Sequence, residues 1–229
     1  MNTLPKPTSG PGIPRYSAVK LLVTLGGLFV VTPFIEELPR GDLIEAALVT
    51  LVMIFSVHAV SREPRRLILA FILVAPAVAG KWINRLRPDL LPPAWFLVPA
   101  FIFFIFVVAN LVYFIVRSPR VDTDVICAGV AGFLVLGLVW APLYLLAAQL
   151  NPRAFVLSSG GTLDAFSAFY LSFITLCTVG YGDVTPVSKV ARMLAVIEAI
   201  TGLFYMAVLI SRLVSVYSSV PASDKPADR

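Results

Sequence analysis

The sequence contains few charged residues, two cysteines and a single histidine. Charged residues make up 14% of the 229 residues, whereas about 25% is usual for a soluble globular protein. Two cysteines, Cys127 and Cys177, are too few for a disulfide-rich scaffold. One histidine without a neighbouring carboxylate cluster argues against a membrane enzyme, which would need metal ligands or a nucleophile with its base. These shortages exclude a small disulfide-rich protein, argue against a soluble domain and argue strongly against a membrane enzyme.

Apolar residues are abundant instead, at 59% of the chain, and they fall into six long segments. Each segment approaches the roughly 20 residues that a helix needs to cross a bilayer. For the first, a cleavable signal peptide is the alternative, but no small-residue cleavage site follows it. The third has a charge-free stretch of only 14 residues, at 67–80, so a re-entrant segment is its alternative. The segments are 16–35, 43–60, 67–83, 90–116, 125–149 and 190–216.

Basic residues cluster at the ends of alternate segments, which predicts the orientation of the chain. Membrane proteins carry an excess of Lys and Arg in their cytoplasmic loops. We therefore expect a multi-pass protein of the cell membrane with both termini in the cytoplasm and lipid, rather than nucleic acid, as its surroundings. Lys81, Arg85 and Arg87 do not fit this bias. The clusters that fit it are Lys6, Arg15 and Lys20, then Arg62, Arg65 and Arg66, then Arg117 and Arg120.

The region between the fifth and sixth segments is too short and too polar to cross the membrane. Thr162 or Asp164 can cap a helix of about 12 residues that ends near Cys177. Beyond it, Gly180 and Gly182 alternate with larger residues and can adopt backbone angles closed to L-residues. This alternation lets the carbonyls of residues 178–181 point the same way, and rings of such carbonyls replace the water shell of a potassium ion. One chain supplies one wall, so four chains would surround the ion; an ordinary Gly-Tyr-Gly turn is the alternative.

Residues 175–183 match the potassium-channel signature T-x-x-T-V-G-Y-G-D at every fixed position. With the short helix before them and Pro186, Arg192 and Gly202 after them, the region 125–217 resembles the pore module of bacterial potassium channels. The resemblance implies an all-α homotetramer of six-span subunits that passes K⁺ down its gradient and needs no cofactor. It also implies that K⁺ binds to a stretch that we name the filter segment, which consists of Thr178, Val179, Gly180, Tyr181 and Gly182.

Three further residues are expected to support the filter segment: Thr175, Tyr170 and Asp183. Many relatives place a tryptophan on the pore helix that hydrogen-bonds the aspartate behind the filter, and this chain has Tyr170 at that position. Our hypothesis is that the Tyr170 hydroxyl holds Asp183 and stiffens the filter wall. The alternative is that Tyr170 only packs beside the pore helix.

The last span contains the residues for which a gating or cavity role is considered. Gly202 lies where related channels often have a hinge glycine. Leu203, Met206 and Ile210 form one helical stripe that would line the cavity or pack against other helices. Glu198 is an ionisable residue deep in the span. Such groups are costly in a membrane and often functional; the alternative is a buried carboxyl paired with a hydroxyl or amide.

The organisation that we predict has four parts. Residues 1–17 form a flexible tail, 18–120 a four-span domain, 121–217 the pore domain, and 218–229 a short tail. The fourth span has no charge from 90 to 116, so we expect little voltage dependence, because a sensor needs several arginines. Neither tail is long enough for a soluble ligand-binding domain. A secondary transporter and a subunit of a mixed channel are the rival functions; the single re-entrant element disfavours the transporter.

Overall fold

The computed structural model describes residues 17–35, 41–60, 64–87, 90, 92–118 and 121–218. Most of both predicted tails lies outside these residues. The described chain forms seven helices and a small two-stranded sheet. The elements are α1 (Ser17–Ile35), α2 (Gly41–Val60), α3 (Pro64–Leu86), α4 (Ala94–Arg117), α5 (Thr123–Leu150), β1 (Phe155–Leu157), α6 (Ala165–Leu176), β2 (Val184–Pro186) and α7 (Lys189–Ser218).

Among the described residues, four helices are long and apolar enough to cross a membrane: α3, α4, α5 and α7. Helix α3 has 23 residues, so the helix continues well beyond the 14 charge-free residues that made the third segment ambiguous. Helices α1 and α2 have 19 and 20 residues. The short helix α6 has 12 residues. The prediction of a mostly helical membrane protein is therefore confirmed.

Helix α5 lies at the centre of the fold and contacts α1, α4, α6 and α7. It begins after Asp122, whose side chain accepts a hydrogen bond from the Val125 N–H at 3.0 Å and so caps the helix. Small residues on α5 let its neighbours come close. At Gly137, a Cβ atom would overlap the ring of Phe173 on α6. The centre of the fold is thus a helix that holds α6 and α7 together with α1 and α4.

Polar side chains join the upstream helices to one another. Lys81 on α3 forms a salt bridge with Glu45 on α2, with 2.9 Å between Nζ and Oε1. At the next residue of α3, the Trp82 indole donates to the Thr50 hydroxyl of α2 at 3.2 Å. Lys81 is one of the basic residues that do not fit the charge bias, and in the structure it is paired with the Glu45 carboxylate. Internal pairing offsets part of the cost of placing such a charge in an apolar helix.

The strands β1 and β2 form an antiparallel pair on either side of α6, and the sequence reasoning missed them. Phe155 is opposite Pro186, and Leu157 is opposite Val184. The run Phe155-Val156-Leu157 has the composition of a strand, but three residues are too few to predict one. The pair ties the segment that leads into α6 to the segment that leaves the filter.

Candidate functional site

Helix α6 has the length and the cap that the sequence predicts. It covers Ala165–Leu176, and the Asp164 carboxylate accepts a hydrogen bond from the Ser167 N–H at 2.7 Å. Of the two candidate caps, Thr162 and Asp164, the aspartate is therefore the one used. A carboxylate at this end also interacts favourably with the helix dipole. The carbonyl end of α6 leads directly into the filter segment.

The end of α6 is a Schellman motif, a helix ending in which two backbone bonds fold back over the last turn. The Val179 N–H donates to the Ile174 carbonyl at 2.8 Å, and the Thr178 N–H donates to the Thr175 carbonyl at 2.9 Å. Thr178 has a φ of 57°, at a position of the motif usually taken by glycine. A positive φ is a costly conformation for a β-branched residue, and such strain is typical of functional sites.

Positive φ angles alternate along the filter segment. Gly180 has a φ of 54° and Gly182 a φ of 82°, and with Thr178 they occupy every second position. The sequence predicts the angles of the two glycines. The sequence does not predict the positive φ of Thr178. Thr178 precedes Gly180 by two residues, as Gly180 precedes Gly182, and this regular spacing could have suggested it. The segment is therefore neither helix nor strand, and its positive φ angles recur at every second residue.

Asp183 is anchored immediately after the filter segment by two hydrogen bonds. Its carboxylate accepts one from the Val184 N–H at 3.1 Å, and its carbonyl accepts one from the Ser158 N–H at 2.8 Å. Its carboxylate also lies within hydrogen-bonding reach of the Tyr170 side chain, and this contact raises the pKa of Tyr170 above its usual value. This contact agrees with the hypothesis of a bond between Tyr170 and Asp183, and the bond and its effect on the filter segment stay a prediction.

The filter segment is open on one side in the single chain. All of residues 178–182 are exposed, and the exposed fraction is 50% for Val179 and 74% for Tyr181. Its beginning is held by the Schellman motif and its end by the hydrogen bonds of Asp183. The arrangement is a rigid support with an uncovered backbone, which is what one wall of a larger pore would present.

Gly202 on α7 lies against the carbonyl end of α6. A Cβ atom at this position would be 2.7 Å from the Leu176 carbonyl oxygen, so only glycine allows α7 to approach this closely. The structure thereby gives Gly202 a packing role, and the hinge role stays a prediction. The predicted stripe of Leu203, Met206 and Ile210 is exposed. These three side chains do not pack inside the chain, and a cavity-lining role for them also stays a prediction.

Glu198 is fully buried between three helices, with no exposed surface. Its Oε1 lies 2.6 Å from the Ser172 hydroxyl of α6, and its Oε2 is hydrogen-bonded to the Tyr144 hydroxyl of α5. Of the two interpretations that the sequence left open, this geometry agrees with the paired, buried carboxyl. Sequence reasoning could not identify the partners, because Tyr144 is 54 positions away along the chain.

Comparison with known proteins places this region in a described family. Residues 125–219 match the family described as "Ion channel". Protein LctB of Bacillus caldotenax is 36% identical over 103 residues, which cover 42% of this chain and 75% of that protein. Two pore potassium channel c of Oryza sativa subsp. japonica is 36% identical over 64 residues, or 28% of this chain and 14% of that protein. Two-pore potassium channel 4 of Arabidopsis thaliana is 40% identical over 58 residues, which cover 25% of this chain and 20% of that protein.

Proposed function

Because the chain belongs to the ion channel family, we propose that it conducts potassium selectively through a pore formed by four copies of the chain. Membership of this family makes it a membrane channel protein and not an enzyme. The plant relatives are named as potassium channels, although the match covers only 14% and 20% of their length. The permeant ion of this chain is therefore argued from its own filter segment.

The observation that carries the proposal is the alternation of positive φ along Thr178, Gly180 and Gly182. An extended segment normally points successive carbonyls to opposite sides, and an alternation of backbone angles is what can bring them to one side. A column of carbonyls facing one axis replaces the water shell of K⁺. The Schellman motif at Thr178 fixes the start of this column, and the bonds of Asp183 fix its end.

Exposed apolar surface supports the assembly of several copies. Tyr181 of the filter segment and the Leu203, Met206 and Ile210 stripe are uncovered in the single chain. A carbonyl column at membrane depth also needs protein or water on every side, because lipid cannot satisfy its polar groups. Four copies around one axis would enclose the column and give α7 neighbours.

The upstream helices serve as a scaffold in this proposal, with α1 and α2 completing six spans and both termini in the cytoplasm. Arg117, the last residue of α4, is the one charged residue of that helix. Each charge moved through the membrane potential contributes about 2.3 kcal/mol per 100 mV, so α4 cannot supply a steep voltage response. We therefore expect conduction that changes little with voltage.

Cation flux from liposomes that contain the purified protein tests the proposal. We expect potassium flux under a potassium gradient, block of that flux by barium, and no comparable flux under a sodium gradient. Equal sodium and potassium fluxes would contradict a selective filter. Flux that requires a second, different chain would contradict assembly from one kind of subunit.

A single substitution ties the flux to the filter segment. Alanine at Gly180 must adopt a φ near 54°, which costs an L-residue roughly 1–2 kcal/mol, and four subunits share the same site. We expect Gly180→Ala to abolish selective flux. Gly26→Ala is the matched control, because nothing lies within 4 Å of a Cβ atom at that position, and it should conduct like the unaltered protein. Normal selectivity in Gly180→Ala would refute the assignment of the filter.

A further inference from the structure

A group of four polar side chains, three of them fully buried, is not explained by ion coordination. It consists of Glu198 on α7, Tyr144 on α5, and Ser172 and Thr175 on α6. Glu198 and Ser172 have no exposed surface, and neither has Tyr144. The group joins helices α5, α6 and α7, and Glu198 lies at its centre.

The contacts of Ser172 determine where the protons of this group lie. The Ser172 hydroxyl oxygen is 2.6 Å from the Gly137 carbonyl oxygen and 2.6 Å from Glu198 Oε1. Two such short contacts need two protons, and a serine hydroxyl has one. The Gly137 carbonyl can only accept, so Ser172 donates to Gly137. The proton between Ser172 and Glu198 must then belong to Glu198.

The other carboxyl oxygen fits the same assignment. The Tyr144 hydroxyl donates to Glu198 Oε2, and the Tyr144 side chain is also hydrogen-bonded to Thr175. The bonds then run in one direction, from Thr175 through Tyr144, Glu198 and Ser172 to the Gly137 carbonyl. In this series the Tyr144 and Ser172 hydroxyls each donate one hydrogen bond and accept one.

Charge leads to the same conclusion. In the part of the chain that the structure describes, the side chains hydrogen-bonded to Glu198 are those of Tyr144 and Ser172, both neutral hydroxyls. A buried carboxylate without a cationic partner is strongly unfavourable, and such groups take up a proton instead. A neutral acid also uses both oxygens, one as acceptor and one as donor.

We propose that Glu198 is a protonated carboxylic acid and a positioning residue that holds α6, and through it the filter segment, against α5 and α7. Thr175 connects the group to the filter, because its carbonyl accepts the Thr178 N–H at 2.9 Å. The effect on selectivity rests on the proposed function, whereas the protonation state does not.

Two substitutions of Glu198 test the proposal through ion selectivity. The glutamine amide of Glu198→Gln can accept from Tyr144 and donate to Ser172, as the acid does. We therefore expect Glu198→Gln to keep the potassium-to-sodium flux ratio within about twofold of the unaltered protein. Glu198→Ala leaves buried hydroxyls without partners, and we expect it to lower the ratio about tenfold. A glutamine variant as impaired as the alanine variant would overturn the proposal.

Infrared spectroscopy of the unaltered protein at neutral pH provides a readout that does not depend on conduction. We expect the carbonyl band of a protonated carboxylic acid, lost in Glu198→Gln and retained in the control Glu45→Gln. Glu45 is a suitable control because it forms a salt bridge with Lys81. Absence of the band would overturn the proposal even in a conducting channel. Its presence in a protein that does not conduct potassium would support the protonated acid and refute only the proposed function.

Discussion

Helices α5 and α7 are the two long helices that precede and follow the filter segment, and they differ sharply in how much of their surface is buried within the chain. In an apolar stretch of 18 residues taken from each helix, 72% of the stretch is buried within the chain in α5, and only 11% in α7. The two stretches are equally apolar, so composition does not separate them. The partners of α5 are helices of its own chain, whereas most of the surface of α7 is left for lipid or for other copies of the chain.

Side-chain size explains how α5 becomes covered. Gly132 and Gly137 leave space on its surface for the Tyr205 hydroxyl of α7 and the Phe173 ring of α6. In membranes, close packing of small residues is a main source of helix association. Helix α7 approaches its own chain this closely at Gly202. Its exposed side, which we call its open face, carries large side chains such as Leu203 and Phe204.

The largest effect is expected from the open face of α7. Phe204 is 68% exposed and Phe71 on α3 is 59% exposed. If neighbouring copies cover α7, Phe204→Ala should weaken the tetramer by about 3 kcal/mol per subunit, as for a truncated core phenylalanine. Phe71→Ala removes the same side chain from a surface that we expect to face lipid, and should leave the tetramer intact. Light scattering of the detergent-solubilised protein measures the difference.

A reversed result would break the comparison of the two helices. If Phe71→Ala dissociated the protein and Phe204→Ala did not, the copies would meet through α3 and not through α7. The pore would then need a different geometry from the one proposed.

An intermediate effect is expected from the covered face of α5. Gly137→Ala places a methyl group against the Phe173 ring, which is also packed against Phe29 and Phe169, with centroids 4.6 and 4.9 Å away. Overpacking of this kind costs about 1–3 kcal/mol. The midpoint of thermal unfolding should fall in Gly137→Ala and stay constant or rise in Gly26→Ala. Unchanged stability of Gly137→Ala would show that α6 can move away from α5 at little cost.

The smallest effect is expected near the end of α7, at Arg212. Its guanidinium donates to the Ile115 carbonyl at 3.4 Å and to the Ser118 carbonyl at 2.5 Å, and so covers the end of α4. A cation at a helix C-terminus stabilises the helix dipole. Arg212→Met should lower the free energy of unfolding by about 1 kcal/mol, and Arg212→Lys should lower it by less. Equal stability of all three proteins would mean that α7 gains nothing from α4 at this point.

Local features of the site could be predicted from the sequence, and long-range contacts could not. The cap at Asp164, the length of α6 and the positive φ angles of Gly180 and Gly182 each follow from neighbouring residues. The partners of Glu198 depend on how three helices pack, and periodicity does not tell which face of α7 meets α5.

Thr178 and Gly202 show why the pore region was only partly predictable. Threonine rarely adopts a positive φ, so residue preference argues against the conformation that the Schellman motif imposes on Thr178. The resemblance predicts a hinge at Gly202, and this stays a prediction; the structure adds a close contact between helices, because a Cβ atom at Gly202 would lie 2.7 Å from the Leu176 carbonyl oxygen. That contact depends on tertiary packing and has no signal in the local sequence.

The contact of α1 with α6 limits how parts of this chain can be combined with parts of a related chain. Phe29 of α1 lies against Phe169 and Phe173 of α6, with ring centroids 5.0 and 4.6 Å apart. A chimera joined between α4 and α5 would combine the first helix of one parent with the pore helix of another. The three phenylalanines would have to come from the same parent to keep these ring contacts. A junction between α4 and α5 therefore separates residues that pack against each other.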